Sequence, residues 1–152
     1  MRARRRLGRS YDGCVKPGAG GVVPKEFLIS IVDDDQFLRE SIGRLMRSFG
    51  YFVEIFPSAA DFLAFPRLDE TSCLVADVHM PTMTGVELYR RLTEAGRAIP
   101  TILITAYPDS AVRARALDDG VVDYLHKPFT DEELMRCVRI ALERSTSREE
   151  NS

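Results

Sequence analysis

No stretch of the chain approaches the ~20 consecutive apolar residues of a membrane-spanning helix, so membrane insertion is not expected. Arginines crowd the N-terminus, but no apolar segment follows them, so they do not read as a secretory signal. Cysteine is scarce. Cys14, Cys73 and Cys137 are odd in number, and their spacing fits neither a zinc site nor a disulfide framework. They read as free thiols in a reducing cytoplasm, the expected location. Lysine is nearly missing beyond residue 25, where thirteen arginines are accompanied by Lys127 alone. Internal repeats are also missing. Collagen, coiled-coil, disulfide-rich secreted and membrane classes are therefore excluded.

The 152 residues that remain to be explained are 45% apolar and 29% charged. Domains commonly run to about 100–150 residues, so the length suits one soluble domain. The net charge of −2 conceals an asymmetry. Residues 1–25 carry seven cations against one acid, and the rest carries fourteen cations against 22 acids. An acidic body is a poor surface for nucleic acid, which is bound by neutralising phosphates. Only the N-terminal arm has the charge for nucleic acid or a membrane surface. Its glycines and prolines break any regular element, so residues 1–25 are expected to be a disordered basic arm. A natural start at Val22 or Val23 remains open.

From Glu26 onward, strands and helices alternate. Phe27 to Val32 is an apolar strand candidate. Gln36 to Phe49 reads as a helix with Leu38, Ile42, Leu45 and Phe49 on one face and Gly50 just past its end. Tyr51 to Phe56 is a second strand, and Ser58 to Phe65 is a short helix opened by Ser58 and Asp61. Cys73 to Ala76 is a third strand, ending at Asp77. Val86 to Ala95 is a helix stopped by Gly96. Thr101 to Ile104 is a fourth strand, Asp109 to Asp119 a helix stopped by Gly120, and Val122 to Leu125 a fifth strand. Thr130 and Glu133 cap a last helix that turns Leu134, Val138, Ala141 and Leu142 inward and ends near Arg144. Near-continuous apolar strands imply burial on both faces. The expected fold is α/β: a five-stranded, doubly wound parallel sheet with helices on each side. The expected domain spans 26–145, with a short tail over 146–152 and no room for a second domain.

In such sheets ligands bind at the C-terminal strand ends, so the residues after each strand matter most. Asp33, Asp34 and Asp35 follow the first strand. One of them can cap the next helix. Three adjacent carboxylates repel one another unless a cation sits among them. Asp77 follows the third strand, either as a turn residue or as a fourth acid around a hard divalent ion. Mg²⁺ typically takes one or two carboxylates with waters and phosphate oxygens. Thr105 ends the fourth strand, as a strand-favouring residue or as a hydroxyl donor to an anion, with small Ala106 beside it. Lys127 follows the fifth strand. It is either a solvated side chain or a compact point charge for phosphate, where arginine would be a planar fork. Acids, a metal, a hydroxyl and an ammonium together describe phosphoryl transfer to a carboxylate.

Val32-Asp33-Asp34-Asp35, Asp77-Val-His-Met-Pro-Thr-Met-Thr-Gly85, Thr105-Ala106 and Tyr124-Leu-His-Lys-Pro-Phe129 resemble the response-regulator receiver domain of two-component signalling, the CheY-like fold. The resemblance covers about residues 26–145 and implies the strand order 2-1-3-4-5. It implies Asp77 as phosphoacceptor. It implies Asp34, Asp77 and the backbone carbonyl of His79 as Mg²⁺ ligands, with Asp33 acting through a metal-bound water. Thr105 and Lys127 match the groups that touch the phosphoryl oxygens. Tyr124 matches the aromatic that swings inward as Thr105 moves. A cis Lys127–Pro128 bond is also implied. Asp35 is assigned capping only, and His126 no role. His79 and Tyr107 are expected to flank the approach of hydrolytic water and to shield the phosphoryl group.

The implied activity is a switch, not a turnover enzyme, that catalyses only its own phosphorylation and dephosphorylation. The implied donor is a sensor histidine kinase or a phosphotransfer protein. A downstream protein would bind the surface of the fourth helix, fifth strand and fifth helix, and a homodimer on phosphorylation is compatible. A stand-alone receiver without a fused output domain, and so without direct DNA binding, is expected. The alternative is a receiver-like interaction scaffold that is not phosphorylated, which would be expected to lose the acids or the lysine. An FMN-binding flavodoxin would need hydroxyls and amides in the first loop, where three acids stand.

Overall fold

The computed structural model describes residues 26–150. The basic segment 1–25, with Cys14 and the candidate starts at Val22 and Val23, lies outside the described residues, as do the last two residues of the expected tail. Five strands alternate with five helices: β1 (Leu28–Val32), α1 (Gln36–Ser48), β2 (Phe52–Phe56), α2 (Ala59–Leu63), β3 (Cys73–Asp77), α3 (Gly85–Glu94), β4 (Thr101–Thr105), α4 (Ser110–Asp118), β5 (Asp123–His126) and α5 (Asp131–Glu150). A short 3₁₀ turn, Leu68–Glu70, precedes β3. The sheet is parallel, in the order β2-β1-β3-β4-β5.

Period-2 alternation divides the strands between two cores. Ile29, Ile31, Val75, Ile102 and Ile104 face α1 and α5, where Ile42, Met46, Leu134 and Val138 meet them. Val32, Leu74, Ala76 and Leu103 face the opposite way, against Phe62, Leu88, Leu92 and Ala116 of α2, α3 and α4. This is why the strand sequences read as apolar at every position instead of every second one. Cys73 and Cys137 are free and buried, as expected of packing thiols.

The helix starts follow their capping residues. Asp35 accepts from the Leu38 amide at 3.3 Å and Ser58 from the Asp61 amide at 3.1 Å. Thr130 and Glu133 exchange hydrogen bonds at 3.0 and 2.9 Å. Thr84 and Glu87 form a second such box at the head of α3.

Two expectations are corrected. Phe49 does not share the inward face of α1. It is the C-cap residue, off the helical period, and stands 56% exposed while Met46 fills the core. The last helix also does not end near Arg144. It runs to Glu150, because no glycine or proline stops it and Ser145 packs at 1% exposure.

Candidate functional site

Strand register brings the acids together. Val32 pairs with Ala76, so Asp33 and Asp77 leave neighbouring strands at the same level. Asp33 is fully buried and Asp77 is 5% exposed, whereas Asp34 faces solvent. Carboxylate oxygens of Asp33, Asp34 and Asp77 all lie within 4.8 Å of one another. From the end of β5, the Lys127 ammonium reaches Asp33 Oδ2 and Asp77 Oδ1, each at 3.4 Å. The Lys127 amide donates to the Thr105 carbonyl at 2.7 Å, which ties the ends of β4 and β5 together. The Lys127–Pro128 bond is cis, as expected.

One ammonium faces three carboxylates, and burial strips two of them of water. Desolvation is the largest influence on Asp33 and pushes its pKa up to about 6; the neighbouring Asp77 charge adds to this. The Asp35 amide, 2.9 Å from Asp33 Oδ1, and Lys127 pull the other way. Desolvation also raises Asp77, opposed chiefly by Lys127 and by the His79 amide at 3.4 Å. The cluster therefore carries more negative charge than its own residues neutralise. An all-oxygen set of this kind, open on the Asp34 side, fits a hard divalent cation such as Mg²⁺.

The remaining candidates fall into two groups. Thr105 is fully buried, and its hydroxyl accepts from the Tyr107 amide at 3.0 Å, so the oxygen is fixed while its proton stays available. Tyr124 sits in the core beside Ala116 and Val121 at 6% exposure. His79 and Tyr107 are both exposed and meet edge to face, with ring centroids 5.4 Å apart. His126 is a surface residue, and Asp35 caps α1.

Two neighbours were not singled out from the sequence. Arg39 donates to the Asp33 carbonyl at 2.8 Å from the second turn of α1. Gly85 opens α3 hard against β3. A Cβ there would lie 2.5 Å from the Asp77 carbonyl oxygen, closer than real Cβ atoms come. The Gly85 amide donates to Val78 O at 3.1 Å. Glycine's position eight residues after Asp77 was visible in the motif, but the contact it permits was not.

Comparison with known proteins identifies the family. The profile of the response regulator receiver domain matches residues 29–139. Response regulator protein TmoT of Ectopseudomonas mendocina is 38% identical over 144 residues, 95% of this chain and 64% of that protein. Nodulation protein W of Bradyrhizobium diazoefficiens is 40% identical over 123 residues, 81% of this chain and 54% of the relative. The chain thus spans about half to two thirds of the length of these relatives. Among solved structures, response regulator StyR superposes with a TM-score of 0.77 at 36% identity, over 84% of this chain and 64% of that one. FixJ-N superposes with a TM-score of 0.72 at 36% identity, over 79% and 96% respectively. The chain belongs to the response regulator receiver domain family.

Proposed function

We propose that Asp77 accepts a phosphoryl group from the phosphohistidine of a sensor histidine kinase or phosphotransfer protein, and that this switches binding of a partner protein. The observation that carries the proposal is the Lys127 ammonium held 3.4 Å from both buried carboxylates, Asp33 and Asp77, with Asp34 at the open side.

An Asp77 carboxylate oxygen attacks phosphorus, and the P–N bond to the donor imidazole breaks. The imidazole leaves with the bonding pair and takes up a proton from water. Asp34, Asp77 and the His79 backbone carbonyl would hold Mg²⁺, with Asp33 engaged through a water. Bound there, Mg²⁺ supplies neutralisation of the phosphoryl charge and a template for its oxygens. Lys127 exchanges its attraction to the acids for a phosphoryl oxygen, as a point charge. Thr105 donates its hydroxyl proton to another phosphoryl oxygen while still accepting from Tyr107.

Asp77 burial limits water around the new acyl phosphate, and Tyr124 lies in the core, paired in the sheet with Leu103 two residues before Thr105. The protein acts as a switch that catalyses only its own phosphorylation and dephosphorylation. The α4–β5–α5 surface carries the downstream signal, and self-association on phosphorylation is one form that signal takes.

Incubation with acetyl phosphate and Mg²⁺, followed by intact mass measurement, tests the assignment. One phosphoryl adduct is expected, lost in Asp77→Asn and suppressed by EDTA. An adduct of equal yield in Asp77→Asn would refute the role of Asp77, and equal yield in EDTA would refute the metal.

A further inference from the structure

Helix α4 covers the sheet poorly. Ala116 is its buried residue, Val112 is half-buried, and Ala111 is exposed. Small side chains on its inner side leave an open cleft of about 420 Å³ between α4 and α3, floored by Val78, Val86, Val112 and Ala116. Arg90 of α3 and Arg115 of α4 line it, together with His79, and no carboxylate does. Neither guanidinium has a hydrogen-bond or ion-pair partner among the described residues. A second cleft of about 280 Å³ shares Val86, Arg90 and Ala116 and continues past Tyr89 to Glu94 and Asp119. The two adjoin at Val86, Arg90 and Ala116 and together form the α3–α4 trough, with Arg90, Arg115 and His79 beside the loop after Asp77 and Glu94 and Asp119 in the second cleft.

We propose that this α3–α4 trough is a docking surface for a protein segment that presents aliphatic side chains flanked by carboxylates. The apolar floor supplies burial for the aliphatic groups. Arg90 and Arg115 select the sign of charge and fix the segment's direction, with its carboxylates toward the Asp77 loop. The cationic lining stands out on a body whose residues beyond 25 carry fourteen cations against 22 acids. The same sign argues against the chain's own basic segment as occupant, since residues 1–25 carry seven cations and one acid. Binding needs no change at Asp77, so the surface stands independently of the phosphoryl reading.

The probe is a synthetic amphipathic peptide with leucines four residues apart and glutamates beside them. Its counterpart has each glutamate replaced by lysine. Titration into the full, unmodified ¹⁵N-labelled chain should move backbone resonances of Val78, Val86, Arg90, Val112 and Arg115, and only with the acidic peptide. The Arg90→Glu/Arg115→Glu protein should bind it at least about tenfold more weakly and should gain affinity for the lysine peptide. Ala111→Phe, which fills the cleft without changing charge, should also weaken binding. Circular dichroism confirms that both variants remain folded. Equal binding of the two peptides, or shifts centred on α1 or α5, would overturn the proposal. So would concentration-dependent shifts of the trough residues without peptide, which would make a second copy the occupant.

Discussion

Asp33→Asn should make the metal-free protein more stable at neutral pH while impairing its site. Asp33 is fully buried beside Asp77, with Lys127 as the cation paired to its carboxylate among the described residues, and its pKa stands at about 6 against an ordinary 3.8. A raised carboxylate pKa means that ionisation opposes folding. The fold loses stability as pH rises between about 4 and 6, and the loss is complete above that window. The full linkage amounts to about 3 kcal/mol. Solvent on the Asp34 side reduces the expected gain from the substitution to about 1–2 kcal/mol. Asparagine keeps an acceptor for the Asp35 amide, so that hydrogen bond survives. The melting temperature at pH 7.5 in EDTA should therefore rise by roughly 3–8 °C. The gap between variant and wild type should narrow as pH falls through 6 and vanish below about 4. Mg²⁺ should reverse the order. A hundredfold excess over its dissociation constant stabilises wild type by about 2.7 kcal/mol, more than the gap of about 1–2 kcal/mol, and Asp33→Asn largely forgoes that gain. Thermal melts across pH, with and without Mg²⁺, measure all of this. A variant that is less stable than wild type at pH 7.5 in EDTA, or a gap that does not change with pH, would refute the account of a self-repelling acid cluster.

Gly85→Ala should cost about 1–3 kcal/mol, because its Cβ would meet the Asp77 carbonyl at 2.5 Å. Isothermal titration should also show weaker Mg²⁺ binding as β3 is displaced, and unchanged values would refute the contact's importance. Gly120→Ala should lose about 2 kcal/mol in denaturant unfolding, since Gly120 has φ +112° and its Cβ would stand 2.8 Å from the Tyr89 hydroxyl. Unchanged stability in that variant would mean that Tyr89 yields freely. Phosphate release from the phosphorylated protein should quicken in His79→Asn or Tyr107→Ala, whose rings meet at 5.4 Å. If both variants hold the phosphoryl group as long as wild type or longer, the ring pair is not the shield.

Most of the site was legible because it is built at strand ends. Apolar runs terminate at Asp33, Asp77, Thr105 and Lys127, and a parallel sheet gathers such ends on one edge. Which strands are neighbours was a different matter. Alternation alone does not order five strands, and the order came from the family resemblance. Phe49 was misread because periodicity carries no signal of where a helix yields to its cap. The far end of α5 was missed for the complementary reason, as Ser145 and Thr146 are weak helix formers that tertiary packing nevertheless retains. The Tyr107–Thr105 hydrogen bond, the His79–Tyr107 contact and the Gly85 approach all join loops or element ends. Such contacts have no period to read.

The backbone links explain how a group on Asp77 would be felt elsewhere. Thr105 is tied at both ends: its carbonyl receives the Lys127 amide at 2.7 Å and its hydroxyl receives the Tyr107 amide at 3.0 Å. A phosphoryl group on Asp77 would draw the Lys127 ammonium and the Thr105 hydroxyl toward one point, so β4 and β5 would respond together. Tyr107, hydrogen-bonded to the Thr105 hydroxyl, would follow it, and two residues later Asp109 caps α4 through the Ala111 and Val112 amides. The helix that receives this displacement is the one least anchored by burial, since Ala116 is its buried residue, while its far end is held where the Tyr89 hydroxyl donates to the Asp119 carbonyl at 3.2 Å. A small shift at Thr105 is therefore expected to tilt the start of α4 about its fixed end. The same tilt would widen or narrow the arginine-lined end of the α3–α4 trough, so that phosphorylation would adjust the affinity of a docking surface that binds its segment without it.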